Sequence, residues 1–526
     1  MEAVLEYQEL LKKSFGDGIK FNKVLANELT FTIDSDLLVP VCSYINQALG
    51  APLVDMIGTD EIEIDGSYKL YYVFALEPKD LFLVIQTKVD PSRPLFPSVT
   101  PHVHAAHWYE REVKDMLGIQ PVGHPDPRRL IRHNWSKEVH PLRKDIVQGT
   151  RFDRTDKEFP FKIIEGEGVF QIPVGPIHAG IIEPGHFRFS VLGEYIINLE
   201  AKLFYTHRGI EKLVEGMSIE KALLVSERIC GACSYSHSTA YCQAIEKIAA
   251  KEIPERAKYI RTLLMELERL YNHIGDVGNI CAGTGFAFGT SQGSRLKEIL
   301  MRLNEIIAGN RYLRGVNTVG GVKKNLTPET INIIKQTTQL VEKDFNELAE
   351  ILMSTDSLLD RFATTGVLSN EVASSLNVVG PGGRASGINR DVRRDHPYAA
   401  YSQLQFKVPL HCEGDVLARV KVRLDEVRES FAIINQIIDA MPEGDLMVNV
   451  GQLEPFSCAM GYTESPRGEN IHWVMIGRDN TIYRYRVRSA SYTNWPAVAL
   501  AVPGNMVPDF PLINKSFELC YSCMDR

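Results

Sequence analysis

Apolar positions follow two different rhythms along the chain. Residues 2–15 repeat at helical spacing and predict an amphipathic helix ending near Gly16. Three runs rich in β-branched and aromatic side chains then predict strands: Leu29–Ile33, Leu70–Leu76 and Leu81–Ile85. Between the last two lies Glu77-Pro78-Lys79-Asp80, a turn signal for a hairpin. This part reads as a small α+β domain, 1–145, that closes with Trp108-Tyr109-Glu110-Arg111-Glu112 through Ile119 and then Gly123-His124-Pro125-Asp126-Pro127-Arg128-Arg129-Leu130. Two prolines among strongly hydrogen-bonding side chains predict a fixed turn there. It contains no nucleophile–base pair, which favours structure or docking over catalysis.

From Lys144 to Phe161 the chain is charged, unpatterned and contains Gly149, marking a linker taken as 146–165. Phe187, Phe189 and Val191 then alternate with Arg188 and Ser190 in a strand-like way. Beyond Tyr205 the period becomes helical. Ile253-Pro254-Glu255-Arg256 opens one long helix with proline at its first position, and its apolar stripe is Ile260, Leu263, Leu264, Leu267, Leu270 and Ile274. Thr327 and Pro328 are the N-cap and first residue of a second, and Asp415 caps a third over about 416–441. Three long amphipathic helices need one another's apolar faces, so 166–526 is expected to be a helical bundle, with short peripheral strands at 472–476 and 483–487. The predicted fold class is α+β.

At 526 residues the chain exceeds what one hydrophobic core usually supports. A net charge of −8 without a block of like charge argues against nucleic-acid binding. No apolar run approaches the ~18 residues of a membrane span, and the acidic start Met1-Glu2-Ala3-Val4-Leu5-Glu6 lacks the layout of a signal peptide. The expectation is a cytoplasmic chain that meets the membrane only through partners. Its nine cysteines would then be kept reduced, so paired thiols read as metal-binding or redox-active.

Two such pairs stand far apart, Cys230/Cys233 and Cys520/Cys523. Zinc ribbons hold their pairs roughly 15–20 residues apart, whereas these flank most of the larger domain. A dithiol couple, structural zinc and another thiolate-held metal centre all remain open, the last being favoured because four soft thiolates select soft or borderline metals. Cys42, Cys242, Cys281, Cys412 and Cys458 are expected to be buried small hydrophobes.

The motifs carry a resemblance. Arg228-Ile229-Cys230-Gly231-Ala232-Cys233, followed by His237, resembles the proximal motif of nickel–iron hydrogenase large subunits, and Cys520-Tyr521-Ser522-Cys523-Met524-Asp525-Arg526 resembles their C-terminal motif. Glu464-Ser465-Pro466-Arg467-Gly468 is similar to the family's arginine-bearing loop. Thr206-His207-Arg208-Gly209-Ile210-Glu211-Lys212, Arg384-Ala385-Ser386-Gly387, Arg390-Asp391 and Asp395-His396-Pro397-Tyr398 also fit, the last groups recurring in the 49-kDa subunit of complex I. Residues 20–145 resemble the 30-kDa subunit of complex I, a docking component without a cofactor. The order of parts is similar to the formate hydrogenlyase (hydrogenase 3) type and its membrane-bound energy-converting relatives.

The resemblance implies nickel held by Cys230, Cys233, Cys520 and Cys523, with Cys233 and Cys523 bridging to an iron that carries one carbonyl and two cyanides. Dihydrogen is apolar and a very weak acid, so a metal must polarise it while a nearby base takes the proton. Terminal Cys520 would be that base and Glu183 the next acceptor. Arg467 would donate to a cyanide, Ser491 or Thr493 to the other, and His237 would support the ligands from outside. The family commonly has Asp-Pro where Glu518-Leu519 stands, a departure expected to alter only the approach turn. The end at Arg526 matches the position at which the family's precursors are cut. The implied partners are a small subunit with a [4Fe–4S] cluster, since this chain shows no iron–sulfur motif, ferredoxin-like electron carriers, membrane subunits related to complex I, and a formate or carbon monoxide dehydrogenase. The rival readings are a metal-free quinone-site subunit of a complex I-like dehydrogenase and a zinc-stapled scaffold.

Overall fold

The computed structural model describes the chain except Met1, Pro78, Lys137, residues 156–158 and 179–181, and the side chain of Glu2. The centre of the 77–80 turn, part of the linker and part of the stretch before Glu183 therefore lie outside the described residues.

The first helix, α1, is Glu2–Phe15. After it come β1 (Ile19–Leu25), β2 (Glu28–Ile33), β3 (Leu53–Glu61), β4 (Ser67–Leu76) and β5 (Leu81–Val89), in the sheet order β1-β2-β5-β4-β3. Only the β2–β5 pair among them is parallel. Helix α2, His107–Leu117, packs on β3: a Cβ on Gly58 would meet Leu117 at 2.6 Å. Both faces of the sheet are covered. Leu70, Tyr72 and Phe74 join one apolar core, while Tyr71, Val73 and Ala75 join another that also holds the bundle helices. A strand buried on both faces reads as a continuous apolar run, which is why 70–76 shows no alternation.

Strands β6 (Val169–Val174), β7 (His186–Leu192) and β8 (Tyr195–Lys202) form an antiparallel sheet in the order β8-β7-β6. The bundle follows: α3 (Ser234–Ile248), α4 (Glu255–Ala282), α5 (Ala287–Ala308), α6 (Pro328–Met353) and α7 (Val416–Ala440). Every residue of the expected α4 stripe is fully buried, and each such side chain contributes about 1.5–3 kcal/mol relative to exposure. Thr327 and Asp415 cap α6 and α7 through their side chains, as expected. Pro254 differs: with ψ 147° it stands just outside α4, in the cap position.

The late strands are β9 (Cys458–Ser465), β10 (Gly468–Ile476) and β11 (Ile482–Arg488), all antiparallel. They are not peripheral. Helix α3 lies flush on β9, where a Cβ on Gly461 would come within 1.8 Å of the Ala240 carbonyl oxygen. The N-terminal sheet covers them elsewhere, with Trp473 against Tyr71 and Tyr462 against Phe82 at ring separations of 5.3 and 5.1 Å. The arginines of β11, which make it look solvent-facing, donate across this interface instead: Arg484 to the Gly58 carbonyl at 3.1 Å and Arg488 to that of Val54 at 2.8 Å. The chain ends with α8 (Ala490–Ala501), α9 (Phe510–Phe517) and the short α10 (Tyr521–Asp525).

Candidate metal centre

Each cysteine pair lies on a tight bend that ends in a helix start. Cys233 is the N-cap of α3 and Cys520 that of α10. The bends meet. Cys230 and Cys233 sulfurs are 3.0 Å apart, Cys233 and Cys523 sulfurs 3.7 Å, and the Cys233 N–H donates to Cys230 Sγ at 3.3 Å. Donor atoms of Cys230, Cys233, His237 and Cys523 all lie within 4.8 Å of one another, a spread that suits one ion. Cys520 stands just outside that set, its sulfur 3.3 Å from Ser522 Oγ and in contact with the Cys230 and Cys523 thiols. The other cysteines stay apart from the centre. Cys42, Cys242 and Cys281 are buried as expected, but Cys412 is exposed in the loop before α7, and Cys458 is half-buried at the start of β9.

Arg208, which sequence reasoning quoted without a role, clasps both bends. Its guanidinium donates to the carbonyls of Arg228 (3.0 Å), Ile229 (2.6 Å) and Ser522 (2.9 Å). His237 lies one turn after Cys233 on α3. Its Nε2 is 3.1 Å from Cys523 Sγ, its Nδ1 2.8 Å from His472 Nε2, and His472 Nδ1 is 2.7 Å from the Tyr485 hydroxyl. Burial, then the nearby Arg208 charge, pushes His237 down to about 3, so the ring is neutral. When Cys523 is a thiolate, the consistent tautomers make Tyr485 donate to His472, His472 to His237, and His237 to the sulfur; a protonated thiol reverses the whole relay.

The thiols of Cys233 and Cys520 are pushed up chiefly by hydrogen bonding to Cys230, and that of Cys523 chiefly by burial. Several sulfurs packed this closely in a dry interior cannot all ionise without a cation between them. The donor set therefore fits a soft metal centre.

Glu183 reaches the ligand loop through Ser522, whose N–H donates to its carboxylate at 2.7 Å. Arg467 is the second residue of the Pro466–Arg467 turn between β9 and β10. Backbone contact fixes that turn: Gly380 has φ +67°, and a Cβ on it would strike the Arg467 carbonyl oxygen at 2.3 Å. The Arg467 guanidinium is buried and forks onto Asp276 of α4 at 2.6 and 3.0 Å. Burial opposes its charge, but Asp276 and Glu518, then the Cys233 and Cys520 thiols, hold it protonated. Asp276 in turn stays at about 2, because Arg467, then His273 and Arg423, outweigh the cost of burial.

Glu518 does more than shape a turn. It adopts φ 53°, accepts from Asn279 at 2.6 Å, and lies 4.0 Å from Arg467. Burial, then repulsion from Asp276, lifts it to about 7. Ser491 accepts from the Cys520 N–H at 3.0 Å. Thr493, two residues on and so about 200° around α8, lies beside the Tyr109 hydroxyl. Sequence reasoning missed Asp276 and the roles of Arg208, His472 and Ser522; Asp276 lies on the far side of α4 from the centre of the expected apolar stripe, so the periodicity carried no signal for it.

Three family models match parts of the chain. The family model for the respiratory-chain NADH dehydrogenase 30 Kd subunit matches residues 31–151, that for nickel-dependent hydrogenase 208–276, and that for the 49 Kd subunit 283–459 and 451–526. Formate hydrogenlyase subunit 5 of Escherichia coli K12 is 40% identical over 508 residues, covering 95% of this chain and 89% of its own. Hydrogenase-4 component G of the same organism is 38% identical over 510 residues, covering 95% and 88%. The chain belongs to the formate hydrogenlyase type of nickel–iron hydrogenase large subunits. An NADH-quinone oxidoreductase subunit of Phocaeicola vulgatus is 31% identical over 483 residues, covering 88% and 93%, so the architecture extends to complex I-like proteins.

Proposed function

We propose that the chain is the catalytic large subunit of a multi-subunit, membrane-associated nickel–iron hydrogenase that runs 2H⁺ + 2e⁻ ⇌ H₂. The observation that supports this best is the meeting of Cys230 and Cys233 with Cys523, and with Cys520 beside them, in one desolvated cluster. Nickel would be held by those four sulfurs, with Cys233 and Cys523 shared with an iron carrying one carbonyl and two cyanides. When bound, the centre supplies the electron-rich site at which dihydrogen is split or formed.

The chain's own residues handle the proton. Cys520 Sγ receives it and Glu183 carries it away, while Ser522 holds both ends, its N–H on the carboxylate and its hydroxyl near the sulfur. Arg467 presents a fixed positive charge beside the cluster, suited to a cyanide nitrogen. Ser491 fixes the Cys520 backbone, and His237 holds the Cys523 sulfur in orientation. Thr493 is left without a part in this reading.

Residues 1–145 would serve as the docking unit, 146–165 as the linker and 166–526 as the catalytic unit. No helix among the described residues is long and apolar enough to cross a membrane. We place the chain on the cytoplasmic face of the cell membrane, held by complex I-related membrane subunits. Electrons would arrive through a small subunit with a [4Fe–4S] cluster and ferredoxin-like carriers, fed by a formate or carbon monoxide dehydrogenase or by ferredoxin. No nucleic acid is involved.

Elemental analysis with infrared spectroscopy of the purified complex tests the reading. Nickel and iron in equal amounts, with carbonyl and cyanide bands, are expected. Zinc alone would leave a stapled scaffold, and no metal at all a quinone-site subunit.

A further inference from the structure

The segment that carries Cys520 and Cys523 is secured mainly by residues from Glu183 onward. Asp525 accepts from the N–H groups of Phe204 (3.0 Å) and Thr206 (2.7 Å), and the Arg526 carbonyl accepts from Arg208 N–H at 2.7 Å. Among the described residues one hydrogen bond comes from the N-terminal part. Glu112, on α2 of the N-terminal part, accepts from the Arg526 guanidinium at 2.9 Å. The same guanidinium donates to Glu211 at 2.9 Å and to the Val487 carbonyl at 2.6 Å, and lies over the Tyr492 ring at 4.8 Å.

This junction is a closed electrostatic unit. Glu112, Glu211 and Asp55 face Arg484, Arg486 and Arg526, all buried, and Arg488, paired with Glu469, also faces Asp55. Helix α2 is seated on it by Trp108 and Tyr109, whose rings are 5.5 and 5.3 Å from that of Tyr492. Burial would raise Glu112, yet Arg486 and Arg526 hold it at about 2. A charge-assisted bond between ions kept dry on every side is hard to exchange for water. Arg526 is three residues from Cys523, and the short α10 between them leaves little slack.

We propose that Glu112 is a positioning residue for the metal-ligand segment, so that the N-terminal part clamps Cys520 and Cys523 in place through Arg526. That part would then be built into the site's rigidity as well as its docking. The consequence for metal holding rests on the four-cysteine reading above; the clamp itself rests only on the Glu112–Arg526 contact.

The test uses the full-length chain in its purified complex. Glu112→Gln should increase deuterium uptake in a peptide covering 519–526 while strands β3–β5 keep their protection. It should also speed nickel release to a chelator about tenfold, the lower end of the usual effect of outer-shell substitutions on metal affinity. Because that variant leaves one buried positive charge unmatched, Glu112→Gln/Arg526→Gln is the companion. It restores neutrality and should recover the melting temperature, yet 519–526 should remain deprotected. Unchanged uptake in Glu112→Gln would overturn the clamp. So would a double variant in which protection returns with the melting temperature, since buried charge alone would then explain the effect. Wild-type protein without nickel would overturn the metal reading and leave the uptake measurement to decide the clamp.

Discussion

Asp276→Asn would isolate the charge that holds Arg467. In the wild type the carboxylate takes both terminal nitrogens of Arg467, at 2.6 and 3.0 Å, and lies 3.5 Å from Arg423 Nε, so one anion serves two buried cations. Glu518 is the other acid in reach, and burial and Asp276 together hold it at about 7. Asparagine keeps the shape but not the charge. Glu518 then loses one of the causes of its raised pKa and ionises more readily, offsetting part of the deficit and leaving two guanidiniums against one carboxylate. Breaking a buried pair from one side costs about 3–5 kcal/mol. With an unfolding entropy near 2.1 cal/mol/K per residue, 526 residues give roughly 1.1 kcal/mol/K, so the melting temperature should fall by about 3–5 °C. Differential scanning calorimetry of the purified enzyme reads that shift, and H/D exchange activity should drop with it because Arg467 loses its fixed direction. Arg467→Lys separates charge from geometry: it keeps the cation and loses the fork, so activity should fall more than stability. An Asp276→Asn protein with both melting temperature and exchange activity unchanged would refute this account of how Arg467 is held.

Cys520→Ser should abolish hydrogen evolution in a gas-chromatographic assay while the circular dichroism of the chain is kept; wild-type activity would remove Cys520 from the ligand set. For Glu183→Gln, H/D exchange should collapse at full metal content, since glutamine still accepts from the Ser522 N–H but cannot carry a proton; normal exchange would exclude it from the relay. His107 is pushed down to about 3 by burial, then by Arg111 and His124. Its lowered folded value means stability is complete above the unfolded pKa near 6.5 and is lost as pH falls towards 3, by about 1.4 kcal/mol per pH unit over that window. His107→Gln should therefore flatten acid-denaturation curves between those limits, and an identical slope in the variant would rule this group out.

Where local rules acted alone, the sequence was readable. The α6 and α7 caps, the α4 stripe and the β4 and β5 runs all follow from side chains near in sequence. Helix α5 was not, because Gly289 and Gly293 interrupt its pattern; their purpose is tertiary, since a Cβ on Gly293 would lie 2.7 Å from Gly278 Cα in α4. Strands β1 and β3 were also missed, and β11 looked like an exposed strand because Arg484 and Arg486 find carboxylates 273 or more residues earlier. The cysteine pairs read as metal-binding or redox-active from residue type alone, but that residues 230 and 523 meet, and the place of Arg467, came only through the resemblance, as neither spacing nor periodicity carries it. Asp276, His472 and Ser522 act through partners that the fold alone supplies.

Cys233 and Cys523 touch across 290 residues of chain. At a synthesis rate of about 5–20 residues per second, the first pair leaves the ribosome about 15–60 s before the second exists. Through that interval a nascent chain displays two reducing sulfurs with half a cage around them. Any ion delivered then would sit on an open, two-toothed ligand and exchange freely, so loading must either wait for the closing turn or be shielded by another protein until it arrives.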